Sequence, residues 1–156
     1  MAGKGKCDFR ELQDFRDKLE KSLGSEQIDS FLESCSKELA ARLLAKVIKR
    51  TPVGQYPPKT GKKGGTLRRG WTGGKSQAGT AYANSLKITK QGGAYIIEVI
   101  NPVEYASYVE FGHRTRGGGG WVEGRFMLTI SENEIRNSAP TILQNKLKKK
   151  LGECFK

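Results

Sequence analysis

Residues able to do covalent or acid–base chemistry are few and poorly spaced. The single histidine is His113, Glu110 lies three positions before it, and the cysteines are Cys7, Cys35 and Cys154. Nucleophilic catalysis needs a nucleophile, a base within hydrogen-bond reach and a group that orients the base. No nucleophile motif accompanies His113, so a structural or capping role is expected for it. Glu104, Glu110 and Glu123 do not have the spacing of paired carboxylates or magnesium ligands. One histidine and no Cys-x-x-Cys pair leave a structural zinc site without ligands. Neither Gly61-Lys62-Lys63-Gly64-Gly65 nor the run Gly117 to Gly120 fits the Gly-x-x-x-x-Gly-Lys-Ser/Thr phosphate loop. The expectation is a chain that is not an enzyme, with no catalytic residue, no metal and no cofactor.

Charge is the stronger signal. The formal net charge is +12, from 28 basic and 16 acidic residues. Leu39 to Ile97 contains no Asp or Glu and holds 12 of the cations, which leaves 16 bases against 16 acids elsewhere. Segregation this sharp points to a polyanion or an acidic protein partner. Within the segment, Lys59, Lys62, Lys63, Arg68 and Arg69 are the candidate contacts to DNA or to a neighbouring protein. Of Trp71, Tyr82, Tyr95, Tyr105 and Tyr108, Trp71 is taken to lie among the cations, and the tyrosines are expected in core or interface packing.

The 156 residues suit a single domain, 36% of them hydrophobic. No run approaches the roughly 18 apolar residues of a membrane span, so no membrane partner is expected. The first residues lack the apolar stretch of a secretory signal. Three widely spaced cysteines fit a reducing cytoplasm.

Periodicity sets out the elements. Asp8 and Glu11 have capping-box spacing, and Phe9, Leu12, Phe15, Leu19 and Leu23 form an apolar helical stripe that Gly24 ends. Ser25 is placed to cap a second helix over Glu26 to Arg50, buried through Ile28, Phe31, Leu32, Cys35, Leu39, Leu43, Val47 and Ile48. Its acids come early and its bases late, which complements the helix dipole. Thr51-Pro52 stops it. Residues 51–80 read as a long basic loop rich in Gly and Pro, anchored by Leu67 and Trp71. Strands are expected over Ser85–Thr89 and Ala94–Ile100, joined by a hairpin at Gln91-Gly92-Gly93. A short helix follows over Val103–Phe111 with Gly112 as its stop, then a glycine-rich loop and an edge strand at Trp121-Val122. The last helical region, from Arg125, is expected to break near Ser138-Ala139-Pro140, and 144–156 reads as a basic C-terminal tail. The fold class is α+β: N-terminal and C-terminal helices packed on a small, mainly antiparallel sheet, with one long basic loop.

Three motifs in order resemble a known family. Lys49-Arg50-Thr51-Pro52-Val53 followed by Gly65-Thr66-Leu67-Arg68-Arg69-Gly70-Trp71 is similar to the Arg-Thr-Pro-Val and Gly-x-Leu-Arg…Trp signature of the gene-product-ten-like minor tail family of tailed bacteriophages. Asn101 to Gly112, with Tyr105, Ala106, Tyr108, Val109, Glu110 and Phe111, resembles its Tyr-Ala-x-Tyr-Val-Glu-Phe-Gly core. Gly124-Arg125-Phe126-Met127-Leu128 resembles the Gly…Phe-Met element that follows. Gln55 to Gly64 departs from the pattern as an insertion between the first two segments. Pro52, Leu67, Trp71, Tyr105, Tyr108, Glu110, Phe111, Gly112 and Phe126 are thereby expected to serve packing or interfaces.

The resemblance implies a virion protein of the neck or head-proximal tail end, assembled in the bacterial host cytoplasm. It implies tail completion or head–tail joining by a homo-oligomeric ring, a hexamer on tail geometry. Tail-terminator, tail-tube or connector rings would be the neighbours, and genomic DNA in the channel a non-specific contact. The alternative, drawn from charge alone, is a stand-alone nucleic-acid-binding protein.

Overall fold

The computed structural model of the chain describes residues 17–18, 20–21 and 23–154. Asp17, Lys18, Glu20 and Lys21 are helical; the stripe of Phe9, Leu12, Phe15 and Leu19 lies outside the described residues. The elements that follow are α1 (Ser25–Arg50), a 3-10 turn (Pro58–Thr60), α2 (Thr66–Gly70), α3 (Gly79–Ser85), β1 (Thr89–Gln91), β2 (Ala94–Ile96), α4 (Ala106–Phe111), β3 (Gly112–Arg114), β4 (Trp121–Glu123) and α5 (Met127–Cys154). The class is α+β, as expected, but the strands form two separate antiparallel ribbons, β1–β2 and β3–β4, rather than one sheet.

The core lies between helices. Ala40, Leu44, Val47, Leu67, Trp71, Ala83 and Met127 form the buried cluster, and Ile97, Val99, Val103 and Val109 pack on its margin. Ala40 and Ala83 are small enough to let α3 press against α1. Lys37 Nζ donates to the Asn84 carbonyl near the end of α3 at 2.9 Å, which suits a cation at a helix C-terminus. α1 and α5 run antiparallel: Lys46 Nζ meets Glu134 at 2.6 Å and Arg50 also reaches Glu134, while Lys146 Nζ meets Glu38 at 2.8 Å.

Several expectations are corrected. Residues 51–80 are not one continuous loop, because a 3-10 turn, α2 and the start of α3 lie within them. Of the strand expected over Ser85–Thr89, Ser85 closes α3, residues 86–88 are irregular and only Thr89 is in a strand, β1; packing of Ala83 against α1 carries the helix up to Ser85. The ladder begins only at Thr89 and ends at Ile96; Ile97 and Val99 go to the core margin without strand partners. Ala40 and Leu44, not Ile28 and Leu32, face the core of α1. Ser25 begins α1 and Gly24 occupies its cap position without a side-chain bond. α4 starts at Ala106, three residues after Val103. α5 continues through Pro140 and on to Cys154, so residues 144–154 are helix rather than tail. Proline costs a helix one backbone bond at that point. The neighbouring Ser138 Oγ donates to the Glu134 and Ile135 carbonyls at 2.9 and 3.2 Å, and lies on the same turns.

The α1–α5 ion pairs give the fold an acid-sensitive seam. Lys146 and then Arg42 hold the Glu38 carboxyl below its ordinary 4.5. Lys46 and then Arg50 do the same for Glu134. A carboxylate depressed in the folded state contributes its full stability above the unfolded value and loses it as pH falls through the folded value. The melting temperature is therefore expected to fall on acidification below about pH 4.5. In melts across that range, Glu38→Gln/Glu134→Gln should show a shallower decline than the parent. Equal slopes would mean that the seam adds nothing.

Candidate functional site

Thr51 turns the first motif into a rigid junction. It is fully buried at the end of α1. Its Oγ1–H donates to the Val47 carbonyl at 2.6 Å, and the same oxygen accepts the Trp71 indole N–H at 2.8 Å. Its carbonyl accepts two bonds from the Arg68 guanidinium, at 3.2 and 2.7 Å. One residue thus fixes the exit of α1, the Trp71 anchor and the short helix α2. Only a buried hydroxyl flanked by a donor and an acceptor does this without leaving a polar group unpaired.

Asn101 ties the second motif to the first. Its Nδ2–H donates to the Leu67 carbonyl at 2.8 Å, and its Oδ1 accepts the Val103 N–H at 3.2 Å. Gly70 leaves room for it, because a Cβ there would overlap the Asn101 amide.

Glu110 ties the second motif to the third. The residue is buried, and its carboxylate accepts the Leu128 N–H (2.9 Å), the Thr129 N–H (2.9 Å) and the Thr129 hydroxyl (2.7 Å). Those amides belong to the first turn of α5, where helix N–H groups lack internal partners. Phe126, which precedes α5, has no side-chain oxygen to cap with, so the carboxylate reaches it from another element. A negative charge at a helix N-terminus is also favoured by the dipole. Phe126 itself is held at φ 48, a region that a bulky residue rarely adopts. Backbone bonds hold the turn in place: Arg125 N–H to Val109 O at 2.8 Å and Phe126 N–H to Glu110 O at 3.0 Å. Gly112 turns the chain at φ 84, and a Cβ on it would collide with the Val122 carbonyl.

Two groups of cations separate in space. Arg42, Lys46, Arg50 and Lys90 of the acid-free segment find acids contributed by residues outside it. Arg68 is half-buried on Thr51, and Arg69 reaches the Gly64 carbonyl at 3.3 Å. Lys49, Lys59, Lys62, Lys63, Lys75 and Lys87 are exposed and make no ion pair among the described residues. Of the five basic residues singled out from sequence, three therefore point to solvent and two fold the segment back on itself.

This split gives a direct test. Lys59→Gln/Lys62→Gln/Lys63→Gln should leave stability within about 0.5 kcal/mol of the parent in urea melts. Arg68→Ala, which removes two charge-assisted bonds from the carbonyl of buried Thr51, should cost about 1–2 kcal/mol. A triple-lysine variant that unfolds early would show that the exposed stretch supports the fold.

Other titratable groups serve structure. The Tyr95 hydroxyl donates to the Asp29 carboxylate, and Lys90 lies 3.2 Å from Asp29 and from Glu33. The Tyr95 bond, then Lys90, holds the Asp29 carboxyl low. The same bond to Asp29 pushes the Tyr95 phenol up. Burial raises the Cys35 thiol, which makes it a poor nucleophile. His113 sits in β3 against the Tyr108 ring, 5.7 Å between centroids, with its buried Nδ1 unpaired. The Glu110 carboxylate is occupied with the α5 amides. Among the described residues no His/Cys/Asp/Glu cluster could hold a metal ion, and no helix is long and apolar enough to cross a membrane.

Of the remaining motif residues, Leu67 and Trp71 are buried, whereas Pro52, Tyr105, Tyr108, Phe111 and Phe126 are exposed. Sequence reasoning singled out neither Thr51 nor Asn101 as a site residue. Both stand inside the quoted motifs, directly before a proline, and Thr51 was read only as a helix stop.

A family model described as "Bacteriophage HK97-gp10, putative tail-component" matches residues 13–112. That span takes in the Thr51 junction, the Asn101 tie and the Glu110-Phe111-Gly112 turn. No curated protein matches the chain, and no solved structure matches it.

Proposed function

The chain belongs to the HK97-gp10-like family of bacteriophage tail components, and on that premise we propose that it is a ring subunit of the neck or head-proximal tail end, completing the tail or joining it to the head by assembly rather than catalysis. The observation that carries this reading is the family match across residues 13–112. The site geometry supports it. The three motifs spend their polar groups on one another, at Thr51, Asn101 and Glu110, and so make a fixed frame. Outside that frame stand lysines that pair with no acid among the described residues. Facing a channel, they would meet DNA phosphates; facing along the axis, they would meet acidic patches on tail-terminator, tail-tube or connector rings. Six-fold closure follows the symmetry of a tail, and head-to-tail contacts close into rings when the rotation allows. Electron microscopy of particles lacking this protein tests the proposal. Unjoined or incomplete tails are expected; normal tails on filled heads would overturn it.

The exposed lysines also favour a second reading, a stand-alone duplex binder. Six neutralised phosphates would give a log–log salt slope of roughly −5 for the isolated chain. A slope near zero would leave assembly as their role.

A further inference from the structure

Two apolar surfaces of the chain are left uncovered by the described residues. The first is an exposed aromatic ridge on α4 and the β3–β4 ribbon. Tyr108, Phe111 and Trp121 are 58%, 60% and 55% exposed, and Tyr105 and Val122 flank them. Exposed large apolar groups clustered on one face mark a contact surface. The ridge is rigid, because Glu110, in the same helix as Tyr108 and Phe111, is bonded to the first turn of α5. The second surface is a concave groove between α1 and α5, beside β2. Two adjoining cavities of about 320 and 410 Å³ open into it, sharing Ser36, Leu39 and Tyr95. Phe31, Leu32, Leu143 and Leu147 line the larger one.

We propose that the ridge of one copy seats in the α1–α5 groove of the next, and that this is the contact between neighbouring subunits. The proposal deepens the ring reading and rests on it. Charge selects the occupant. Two copies of a +12 chain repel each other over most of their surfaces. Residues 101–126, which carry the ridge, hold three acids (Glu104, Glu110, Glu123) and three bases (Arg114, Arg116, Arg125). At the groove, Glu132 is paired with Arg136. A second copy can therefore approach here without like-charge build-up. Geometry selects the symmetry. The ridge and the groove share no residue, and Met127 and Leu147 stand about 30 Å apart along α5. A contact between unlike surfaces is head-to-tail, which generates rings or filaments rather than two-fold dimers.

The test uses the full chain at high concentration, with two variants altered at exposed positions. Phe111→Ser/Trp121→Ser removes the ridge, and Leu147→Glu places a charge in the groove. Each alone should keep the parent's thermal transition and weaken association about 30-fold or more, the size of an aromatic hot spot. Mixed together, they should form dimers and stop there, because one intact ridge still meets one intact groove. In the parent background, Phe111→benzoylphenylalanine should photocross-link to peptides of α1 or α5 from a differently isotope-labelled copy. If the parent assembles and the variants assemble equally well, the interface assignment fails while the ring reading stands. If the parent never associates, the ring reading and this interface fail together. If the chain's own Phe9 to Leu19 stripe fills the groove, the cross-link will not reach it, and the proposal falls on that arm alone.

Discussion

Replacing Trp71 by Ala is expected to cost about 3–5 kcal/mol, as removal of a buried aromatic does. Folding stabilities are about 5–15 kcal/mol in total, so this single change should bring the chain close to unfolding at 37 °C. Trp71 belongs to the buried cluster with Leu44, Val47, Leu67 and Met127, and its indole N–H also bonds the Thr51 hydroxyl at the end of α1. Two gentler variants separate those roles. Trp71→Phe keeps most of the packing and loses the indole N–H. Thr51→Val keeps the shape and loses the hydroxyl, which leaves the indole N–H buried without an acceptor at a cost of about 1–3 kcal/mol. Residues joined by a hydrogen bond should not be additive, with a coupling of about 0.5–3 kcal/mol. Urea melts of both single variants and the double measure it. Strict additivity would remove the junction from this account.

The junction also decides what becomes of the basic segment. Arg68 is bonded to the carbonyl of Thr51, and Arg69 to that of Gly64. Loosening Thr51 therefore frees the segment that carries Lys59, Lys62 and Lys63. A tail component built this way presents its cations from a fixed base, which reduces the ordering cost when a partner binds.

The sequence made some of this legible and hid the rest for physical reasons. α1 was readable because its periodicity, early acids, late bases and following proline all agree. The hairpin at Gly92-Gly93 and the stop at Gly112 were readable because glycine is needed where φ is positive. α3 was not, since Gly79 to Ser85 has weak helix propensity and is helical through its packing on α1. The α5 start was visible as a motif but not as chemistry. Glu110 and Leu128 are far apart in the chain, and nothing local says that one carboxylate caps the other's helix. The same applies to Arg68: in sequence it is one cation among many, and only the fold shows it turned toward a carbonyl. The two candidate contact faces were legible in part. Tyr108 and Phe111 were marked by the motif, whereas the groove needs α1 and α5 side by side to exist.

Glu110→Ala is expected to lower stability by about 3 kcal/mol, because charge-assisted bonds to two amides and a hydroxyl are lost together. For a chain of this size that is a fall of about 6–12 °C in melting temperature. Glu110→Gln keeps one acceptor but turns an NH2 group toward helix donors, so a smaller loss of about 1–2 kcal/mol is expected. The order Glu, Gln, Ala is the signature of a cap; a catalytic acid would lose activity in both variants without this graded loss of stability. Thr129→Val supplies an independent check, since it removes one of the three donors and should cost about 1 kcal/mol. The consequence reaches beyond the helix end. With its first-turn amides released, α5 no longer holds α4 through Glu110, and Tyr108 and Phe111 lose their fixed presentation. Association should then fall in Glu110→Gln even at temperatures where the chain remains folded. Full stability in Glu110→Ala would show that water caps α5 equally well, and the rigid frame assigned to the three motifs would lose its central tie.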